Sequence, residues 1–351
     1  MVLTLVAGII TLSVLVIVHE LGHFIAAKVT HNYVQEFGIG FPPRIWGKKW
    51  GETIYSINWI PFGGFNKLSG EVDPKEPRAL AARSHAVRLF VMSGGIIMNL
   101  LLPFVLLIVG YMVPHDVING QLVVEQVTAG SPAEMAGIQV GDTIVSINNK
   151  PIRNISELSR AIQLKLGARI SIIVKNVDGT TETMKLVPRW RPPSGQGAIG
   201  IAYQYKDTPV VTSESLFWKA VPTGAEDCIN ALVLYWNGIV GMINGTVPFV
   251  PAGPVGIVQV AGEVAHSGVS PLLELAAFIS IAIAITQIIP FPALDGARIA
   301  FIAIEWARRG KRISARVENI VHSVGFIILL AVMVLITYQD LVRWITGKPL
   351  Y

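Results

Sequence analysis

The chain has 351 residues, of which 52% are hydrophobic and 15% are charged, and its formal net charge is +5. This composition excludes an ordinary soluble enzyme and indicates an integral membrane protein with some soluble mass. The positive charge does not indicate a nucleic-acid partner, because the cations cluster beside apolar runs and are not interleaved with aromatic residues. The single cysteine, Cys228, excludes an internal disulfide framework and a multi-cysteine zinc site.

Four apolar runs are close to the length of about 20 residues that crosses a bilayer core. They are residues 2–18, 89–113, 271–294 and 320–337. A fifth run, residues 229–243, contains two Asn and two Gly and is too short to span. We therefore predict four spans and an interfacial or buried position for the fifth run.

Basic residues predict the orientation of these spans. Residues 28–88 contain nine Lys or Arg, and residues 298–316 contain six. Both segments should face the cytoplasm under the positive-inside rule. Four spans satisfy this rule with the N-terminus and residues 114–270 outside, whereas a fifth span would move the second basic segment outside.

The segments between the spans have their own patterns. Residues 33–68 combine period-2 alternation at 53–60 with Pro and Gly turn residues, which is typical of a β-hairpin. Residues 119–190 contain short strands and one helix behind an Asn/Ser cap, which indicates a compact β-rich domain. Residues 214–243 predict amphipathic or interfacial helices, which either anchor the chain or form a gate.

The predicted organisation follows in chain order. It consists of a first span at 1–31, a cytoplasmic-side hairpin and loop at 32–87, a second span at 88–114, the β-rich domain at 119–190, an extracytoplasmic linker with amphipathic helices at 191–269, a third span at 270–297, a cytoplasmic basic loop at 298–318 and a fourth span at 319–345.

The first apolar run continues into HELGH, residues 19–23, where ionisable side chains are costly in lipid and are usually functional. On a helix, His19 and His23 lie one turn apart on one face and can bind one cation, and nitrogen ligands suit Zn²⁺. Glu20 lies beside them and is placed to take a proton from a metal-bound water. The alternative is that these are chance polar residues at a helix end.

A third protein ligand should come from a distant span at the same depth. Asp295 is the only acid in residues 275–304, and it follows two helix-breaking prolines, Pro290 and Pro292. It also directly precedes the second basic segment, so the predicted topology places it in the same leaflet as the histidine pair. The alternative is that Asp295 only caps a helix. The other histidines lack ligand spacing and are interpreted as surface or packing residues: His31, His85, His115, His266 and His322.

Several motifs together resemble one family. HELGH in the first span, PALDG at 292–296, PFGGF at 61–65, AGPVGI at 252–257 and a PDZ-like module are similar to the site-2 protease family of intramembrane zinc metalloproteases (peptidase family M50). The similarity extends over essentially the whole chain and is greatest to the bacterial regulator of sigma-E protease type.

The resemblance implies a fold and a set of roles. The expected fold is a polytopic α-helical membrane protein with four transmembrane helices, a membrane-associated β-hairpin and one inserted extracytoplasmic PDZ-like α+β domain. His19, His23 and Asp295 would bind one Zn²⁺, and Glu20 would be the catalytic base. The chain departs from the family pattern at GGIIMN, residues 94–99, which lacks a proline but keeps Asn99.

Substrate contacts are less well defined by the sequence. The bacterial branch has asparagines on the third span, where this chain has Ala282 and Gln287. We expect Gln287 and Asn99 to contact substrate, and Gly63 and Gly64 to let a substrate strand approach the hairpin edge near residues 53–65. The alternative is a hairpin that only packs against lipid headgroups.

The implied partners are the lipid bilayer and single-span transmembrane proteins such as anti-sigma factors, already cut by a site-1 protease. The PDZ-like module would either bind new C-termini or exclude uncut substrates by size. The protein would be a multi-pass protein of the bacterial inner membrane, with its N-terminus and PDZ-like domain outside and its active site near the cytoplasmic side.

Two other classes of function compete with this interpretation. An ion-coupled secondary transporter would also use a proline-broken helix with an intramembrane acid, but it predicts pseudo-symmetric halves, and none is apparent. A non-catalytic PDZ membrane scaffold would have no need of Glu20 between two histidines.

Overall fold

A computed structural model of the protein describes residues 2–72, 75, 78–193, 195–206, 210–247 and 251–346. Two compact units are present, one comprising Met1–Gly110 with Val250–Tyr351 and the other comprising Tyr111–Phe249. The α-helices are α1 Val2–Val29, α2 His85–Met112, α3 Pro132–Met135, α4 Ile155–Gln163, α5 Phe217–Ile243, α6 Pro254–Ala265, α7 Val269–Ile288, α8 Asp295–Ala307 and α9 Ala315–Thr346. The strands are β1 Val34–Trp50, β2 Thr53–Leu68, β3 His115–Ile118, β4 Leu122–Val127, β5 Thr143–Ile147, β6 Lys150–Pro151, β7 Ile170–Lys175, β8 Thr181–Leu186, β9 Ile201–Tyr205 and β10 Val210–Ser213.

Four helices of the described residues are long and apolar enough to cross a membrane. They are α1 from Thr4, α2, α7 and α9. The prediction of four helices of spanning length is therefore confirmed, and α5, which contains the fifth apolar run, is not among them.

Glycines let the helices of the first unit approach one another closely. A Cβ atom on Gly22 of α1 would lie 2.2 Å from the carbonyl oxygen of Gly94 on α2, and one on Gly8 would lie 2.6 Å from the Cα atom of Val258 on α6. Such distances are possible only without a side chain, as is common where membrane helices pack. The half of α1 that contains HELGH therefore packs directly against the backbone of α2.

The hairpin of β1 and β2 is longer than its alternating stretch, and its tight turn contains Gly51 at a φ of +62°. Both strands bend at proline-containing bulges near their middles, so the hairpin folds back on itself. Tyr55, for example, pairs with both Phe37 and Lys48. Residues 54–57 consequently have strand neighbours on both sides. The prediction of a free strand edge along this stretch is wrong for these residues.

The chain between α7 and α8 departs from the predicted boundaries. Pro290 and Pro292 cannot continue the hydrogen-bond ladder of α7, which ends at Ile288. A new helix then begins at Asp295 and buries Ile302 against α1 and α2. The structure thus divides the segment predicted as one span at 270–297, and much of the predicted basic loop at 298–318 is helical.

The second unit contains a β-sheet in the order β8-β7-β5-β4-β9, with β6 paired to β5 and a separate pair of β3 and β10. Asn154 caps α4 by accepting a hydrogen bond from the backbone N–H of Glu157 at 2.8 Å, as the Asn/Ser pattern predicts. Strand β9 lies beyond residue 190, where the β-rich domain was predicted to end. The predicted boundary was too early because the Gly- and Pro-containing stretch before β9 has the composition of a linker. The core includes Leu122, Val124, Ile144, Ile147, Leu158, Ile170 and Ile172.

Helix α5 is one continuous helix, not the several interfacial helices predicted for residues 214–243. Its Asp227 carboxylate accepts a hydrogen bond from Arg160 of α4 at 2.7 Å, and Asn237 donates to the carbonyl oxygen of Gln163 at 2.8 Å. Burial raises the pKa of the Cys228 thiol to about 11, which is consistent with a packing role. The buried stripe of α5 consists of small residues at helical spacing, Ala220, Gly224, Cys228 and Ala231.

Candidate active site

The HELGH motif lies on α1, as its spacing predicts. The His19 and His23 side chains are on one face of the helix, and the two residues are only 5% and 6% exposed. Their Nε2 atoms are 3.3 Å apart. Two buried imidazoles that converge through the same ring nitrogen form half of a metal site.

Asp295, the first residue of α8, completes the cluster. Its Oδ2 atom is 3.0 Å from Nε2 of His19 and 2.9 Å from Nε2 of His23. The proline-containing connection directs this carboxylate towards α1, and Ala293 in that connection has a φ of +81°. The Ala293 backbone N–H donates to Nδ1 of His322 on α9 at 3.1 Å, which holds the strained residue in place.

The donor set and its dimensions fit Zn²⁺. Two imidazole nitrogens and one carboxylate oxygen are the ligands of many catalytic zinc sites, which keep a fourth position for water or substrate. Ligand atoms about 2.0–2.1 Å from a tetrahedral ion lie about 3.3 Å from one another, and here the three separations are 2.9–3.3 Å. Among the described residues, His19, His23 and Asp295 are the group of acids and histidines with this geometry.

Helix α2 provides the space for the histidine pair. A Cβ atom on Gly95 would lie 2.5 Å from Cε1 of His19 and 2.5 Å from Nε2 of His23. The preceding Gly94 has no room either, because its Cβ atom would lie 2.5 Å from the carbonyl oxygen of Gly22. Only a glycine pair allows α2 to lie this close to the motif, so the backbone of α2 lines the site.

The orientation of the His23 ring is set by α2. Its Nδ1 atom is 2.8 Å from the carbonyl oxygen of Val91, which can only accept, so Nδ1 donates the hydrogen bond. The Nε2 atom then has the free lone pair and points towards Asp295 and His19. This is the tautomer that a metal ligand requires.

Glu20 lies between the two histidines in sequence and is partly buried. Its carboxylate is near enough to His19, His23 and Asp295 to interact with all three through charge. A carboxylate beside the ligands, but not among them, is in the position of a general base.

The residues predicted to contact substrate pack against other parts of the chain. Asn99 is fully buried on α2, with its amide nitrogen 3.4 Å from Nδ1 of His19, so it contacts a histidine of the motif. The Oε1 atom of Gln287 is 3.4 Å from the backbone nitrogen of Asp295. A Cβ atom on Gly63 would lie 2.8 Å from Cγ1 of Val16 on α1.

Gly64 is as closely packed as Gly63, since its Cβ atom would lie 2.8 Å from the carbonyl oxygen of Gly38 in β1 and 3.4 Å from Cγ1 of Ile17. The space that the two glycines leave is thus filled by α1 and by the hairpin itself. Their packing against the helix turn before HELGH accounts for both residues without a substrate strand.

Sequence reasoning missed two features of the site. The first is the Gly94-Gly95 pair, although adjacent glycines inside an apolar helix are a signal of close helix approach. The second is an ion pair between Arg298 of α8 and Glu71, which follows β2. Burial alone would lower the pKa of Arg298, but the charge and hydrogen bond of Glu71 raise it, so the guanidinium stays charged. The ion pair joins α8 to the end of the hairpin.

Comparisons with known proteins agree with this geometry. The family model described as Peptidase family M50 matches residues 7–332. The chain is 33% identical over 340 residues to a putative zinc metalloprotease of Clostridium acetobutylicum, covering 96% of this chain and 97% of the relative. It is 31% identical over 353 residues to a putative zinc metalloprotease of Nostoc, covering 96% of each chain. It is 27% identical over 424 residues to the regulator of sigma-W protease RasP of Bacillus subtilis, covering 97% of this chain and 98% of that protein. The chain therefore belongs to peptidase family M50, and it is a metalloendopeptidase.

Proposed function

We propose that this chain is a site-2 protease, an intramembrane zinc endopeptidase that hydrolyses peptide bonds within or near the transmembrane segments of single-span proteins. The observation that supports it most strongly is the convergence of His19, His23 and Asp295. Asp295 is 272 residues from His23 in sequence, yet the three ligand atoms lie within about one hydrogen-bond length of one another. Neither a transporter nor a scaffold requires this arrangement beside Glu20.

In this proposal His19, His23 and Asp295 hold one zinc ion. The chemistry that zinc supplies when bound is Lewis acidity, which lowers the pKa of water towards about 7. Glu20 takes up the proton of the attacking water on its carboxylate and then delivers it to the amide nitrogen of the leaving strand. The backbone of α2 at Gly94 and Gly95 closes one side of the site, so water reaches it from other directions.

The proposed orientation places the N-terminus and residues 114–270 outside the cell and the active site near the cytoplasmic face of a bacterial inner membrane. The distribution of Lys and Arg supports it, because residues 28–88 and 298–316 contain most of the cations that flank the spans.

We propose further that the β-rich domain of the second unit is a PDZ domain that selects substrates shortened by a site-1 protease. Its six-stranded sheet with helices α3 and α4 is compatible with capture of a new C-terminus by strand addition, and selection by size is the alternative. The relative from Bacillus subtilis is named for regulation of sigma-W. Anti-sigma factors are therefore the substrate class that we propose for this chain, in the manner of the sigma-E regulators.

The proposed function is tested by substituting the base. Glu20→Gln keeps the size of the side chain but cannot accept the proton, so cleavage of a single-span substrate by purified protein in detergent should fall by about 10²–10⁴-fold. Bound zinc, measured by elemental analysis, should stay near one ion per chain, since Glu20 is not a ligand.

A matched control is Glu263→Gln on α6, where the same substitution falls on an exposed carboxylate that contacts Gln259. This variant should cleave at the wild-type rate. Full cleavage by Glu20→Gln, or wild-type protein that binds no zinc, would contradict the proposed function.

A further inference from the structure

Asn99 is a buried amide whose hydrogen bonds are incomplete. The side chain is inaccessible to solvent, and its Nδ2 atom is 3.4 Å from Nδ1 of His19. Its Oδ1 atom has no hydrogen-bond partner among the described residues. A buried acceptor without a partner destabilises the folded state, so a buried amide in this state needs a physical reason.

The reason follows from the tautomer that His19 needs. Its Nε2 atom faces Asp295 and His23. If Nε2 is to offer a lone pair to a metal ion, the ring proton must be on Nδ1. The Nδ1–H group of His19 and the NH₂ group of Asn99 would then both be donors that face each other. Rotation of the amide by 180° exchanges its nitrogen and oxygen in nearly the same volume. The Oδ1 atom then accepts from Nδ1–H, and the unpartnered oxygen is satisfied.

The same arrangement already exists at the other histidine. The Nδ1 atom of His23 donates to the carbonyl oxygen of Val91 at 2.8 Å. Val91, Gly95 and Asn99 are spaced four residues apart on α2 and form one stripe along the helix. One member orients His23, the next leaves room for both rings, and the third faces His19.

Asn99 is itself held in position from the other side. Its backbone carbonyl oxygen accepts a hydrogen bond of 2.8 Å from the Ser280 hydroxyl, and Ser280 is fully buried on α7. Helix α7 leads directly into the connection that presents Asp295. The contact thus fixes α2 relative to the helix that precedes the third ligand.

We infer that Asn99 is a positioning residue for the metal site and not a substrate contact. Through Oδ1 it accepts the hydrogen bond from Nδ1–H of His19, which fixes the ring orientation and directs the Nε2 lone pair to the metal. This inference rests on the proposed zinc site. It assigns to α2 the orientation of both histidine ligands, one through a backbone carbonyl and the other through a side-chain amide.

The test compares three variants of the full-length protein in detergent. Asn99→Asp keeps an acceptor at this position, Asn99→Leu has a similar volume without hydrogen-bonding groups, and Asn99→Ala removes the amide without adding bulk. Zinc affinity is measured by competition with a chromogenic chelator, and the unfolding temperature of the metal-free protein reports on folding. Asn230→Leu on α5 provides the same chemical change in the second unit.

Loss of an outer partner of a metal-bound histidine typically costs 10–100-fold in metal affinity. Asn99→Leu and Asn99→Ala should show a loss of this size. In Asn99→Asp and Asn230→Leu, the zinc affinity should stay within about threefold of the wild-type value. If Asn99→Leu does not fold, Asn99→Ala provides the comparison. An equal loss in Asn99→Asp and Asn99→Ala would show that the amide acts as a donor and would overturn the inference.

Wild-type affinity in all Asn99 variants would also overturn the inference, while leaving the proposed function intact. Failure of the wild-type protein to bind zinc is a separate result, because it refutes the proposed function first and this inference with it.

Discussion

Gly95→Ala is the substitution that tests the geometry of the site most directly. Its new methyl group would lie 2.5 Å from atoms of both His19 and His23, whereas carbon atoms in contact are about 3.5–4.0 Å apart. The group therefore overlaps both rings by about 1 Å. Helix α2 cannot retreat without separating Gly94 from the backbone of Gly22, and the ring of His23 is held by Val91. The imidazoles must move.

The expected magnitude follows from these distances. Forcing an extra methyl group into a packed site costs about 1–3 kcal/mol. Because about 1.4 kcal/mol corresponds to a factor of ten, zinc affinity should fall by about 5–150-fold if the strain falls on the ligands. A displacement of about 1 Å in a catalytic group can lower the rate by about 10²-fold. Cleavage at saturating zinc should therefore remain well below the wild-type value.

Gly110→Ala is the matched control, on the same helix. There the nearest atom to a new Cβ is the Ser270 hydroxyl oxygen at 3.6 Å, which is an ordinary contact. The assay is cleavage of a single-span substrate at several zinc concentrations, together with chelator competition. Wild-type zinc affinity and cleavage in Gly95→Ala, in protein that folds normally, would refute the argument that α2 lines the metal site.

Two further predictions concern stability. The Glu305 carboxylate accepts a hydrogen bond from the buried Arg88 at 2.5 Å, so Glu305→Gln should destabilise the protein by about 3 kcal/mol in denaturant unfolding. Burial would raise the pKa of Glu305, but the hydrogen bond and charge of Arg88 lower it. The stabilisation is therefore complete above the usual pKa of about 4.3 and is lost as the pH falls through the lower pKa of the folded state. A difference in unfolding free energy between wild type and Glu305→Gln that grows towards acid pH would contradict this prediction. The fully buried Asp340 accepts from the backbone N–H groups of Gly253 and Gly256, each at 2.9 Å. Asp340→Ala should therefore lower the free energy of unfolding by about 2–4 kcal/mol, and Asp340→Asn should lower it by less. Equal stability of the wild type and both variants would show that these two hydrogen bonds do not stabilise the protein.

The metal-site residues could be proposed from sequence because each depends on local or one-dimensional information. Helical spacing places His19 and His23 on one face whatever the rest of the chain does. The depth of Asp295 follows from two prolines and the basic residues beyond them. The four spanning helices follow from the lengths of the apolar runs, which the bilayer thickness restricts.

The features that sequence reasoning missed depend on contacts between distant segments. Residues 54–57 pair on both sides only because both strands of the hairpin bend. The alternation of apolar and polar residues along either strand does not reveal this bend. Strand β9 belongs to the sheet only through its pairing with β4. The contact of Asn99 with His19 could not be predicted for the same reason, since a polar residue on an apolar helix can face either a ligand or a neighbouring side chain.

The wide separation of the proposed metal ligands along the chain has a consequence for biosynthesis. A ribosome makes the two imidazoles with the first helix but adds the carboxylate of Asp295 only 272 residues after His23. Until then, the emerging polypeptide lacks the third proposed ligand. In the proposed enzyme, hydrolytic activity therefore arises only after residue 295 has been made, so the order of synthesis itself keeps the partly made chain inactive.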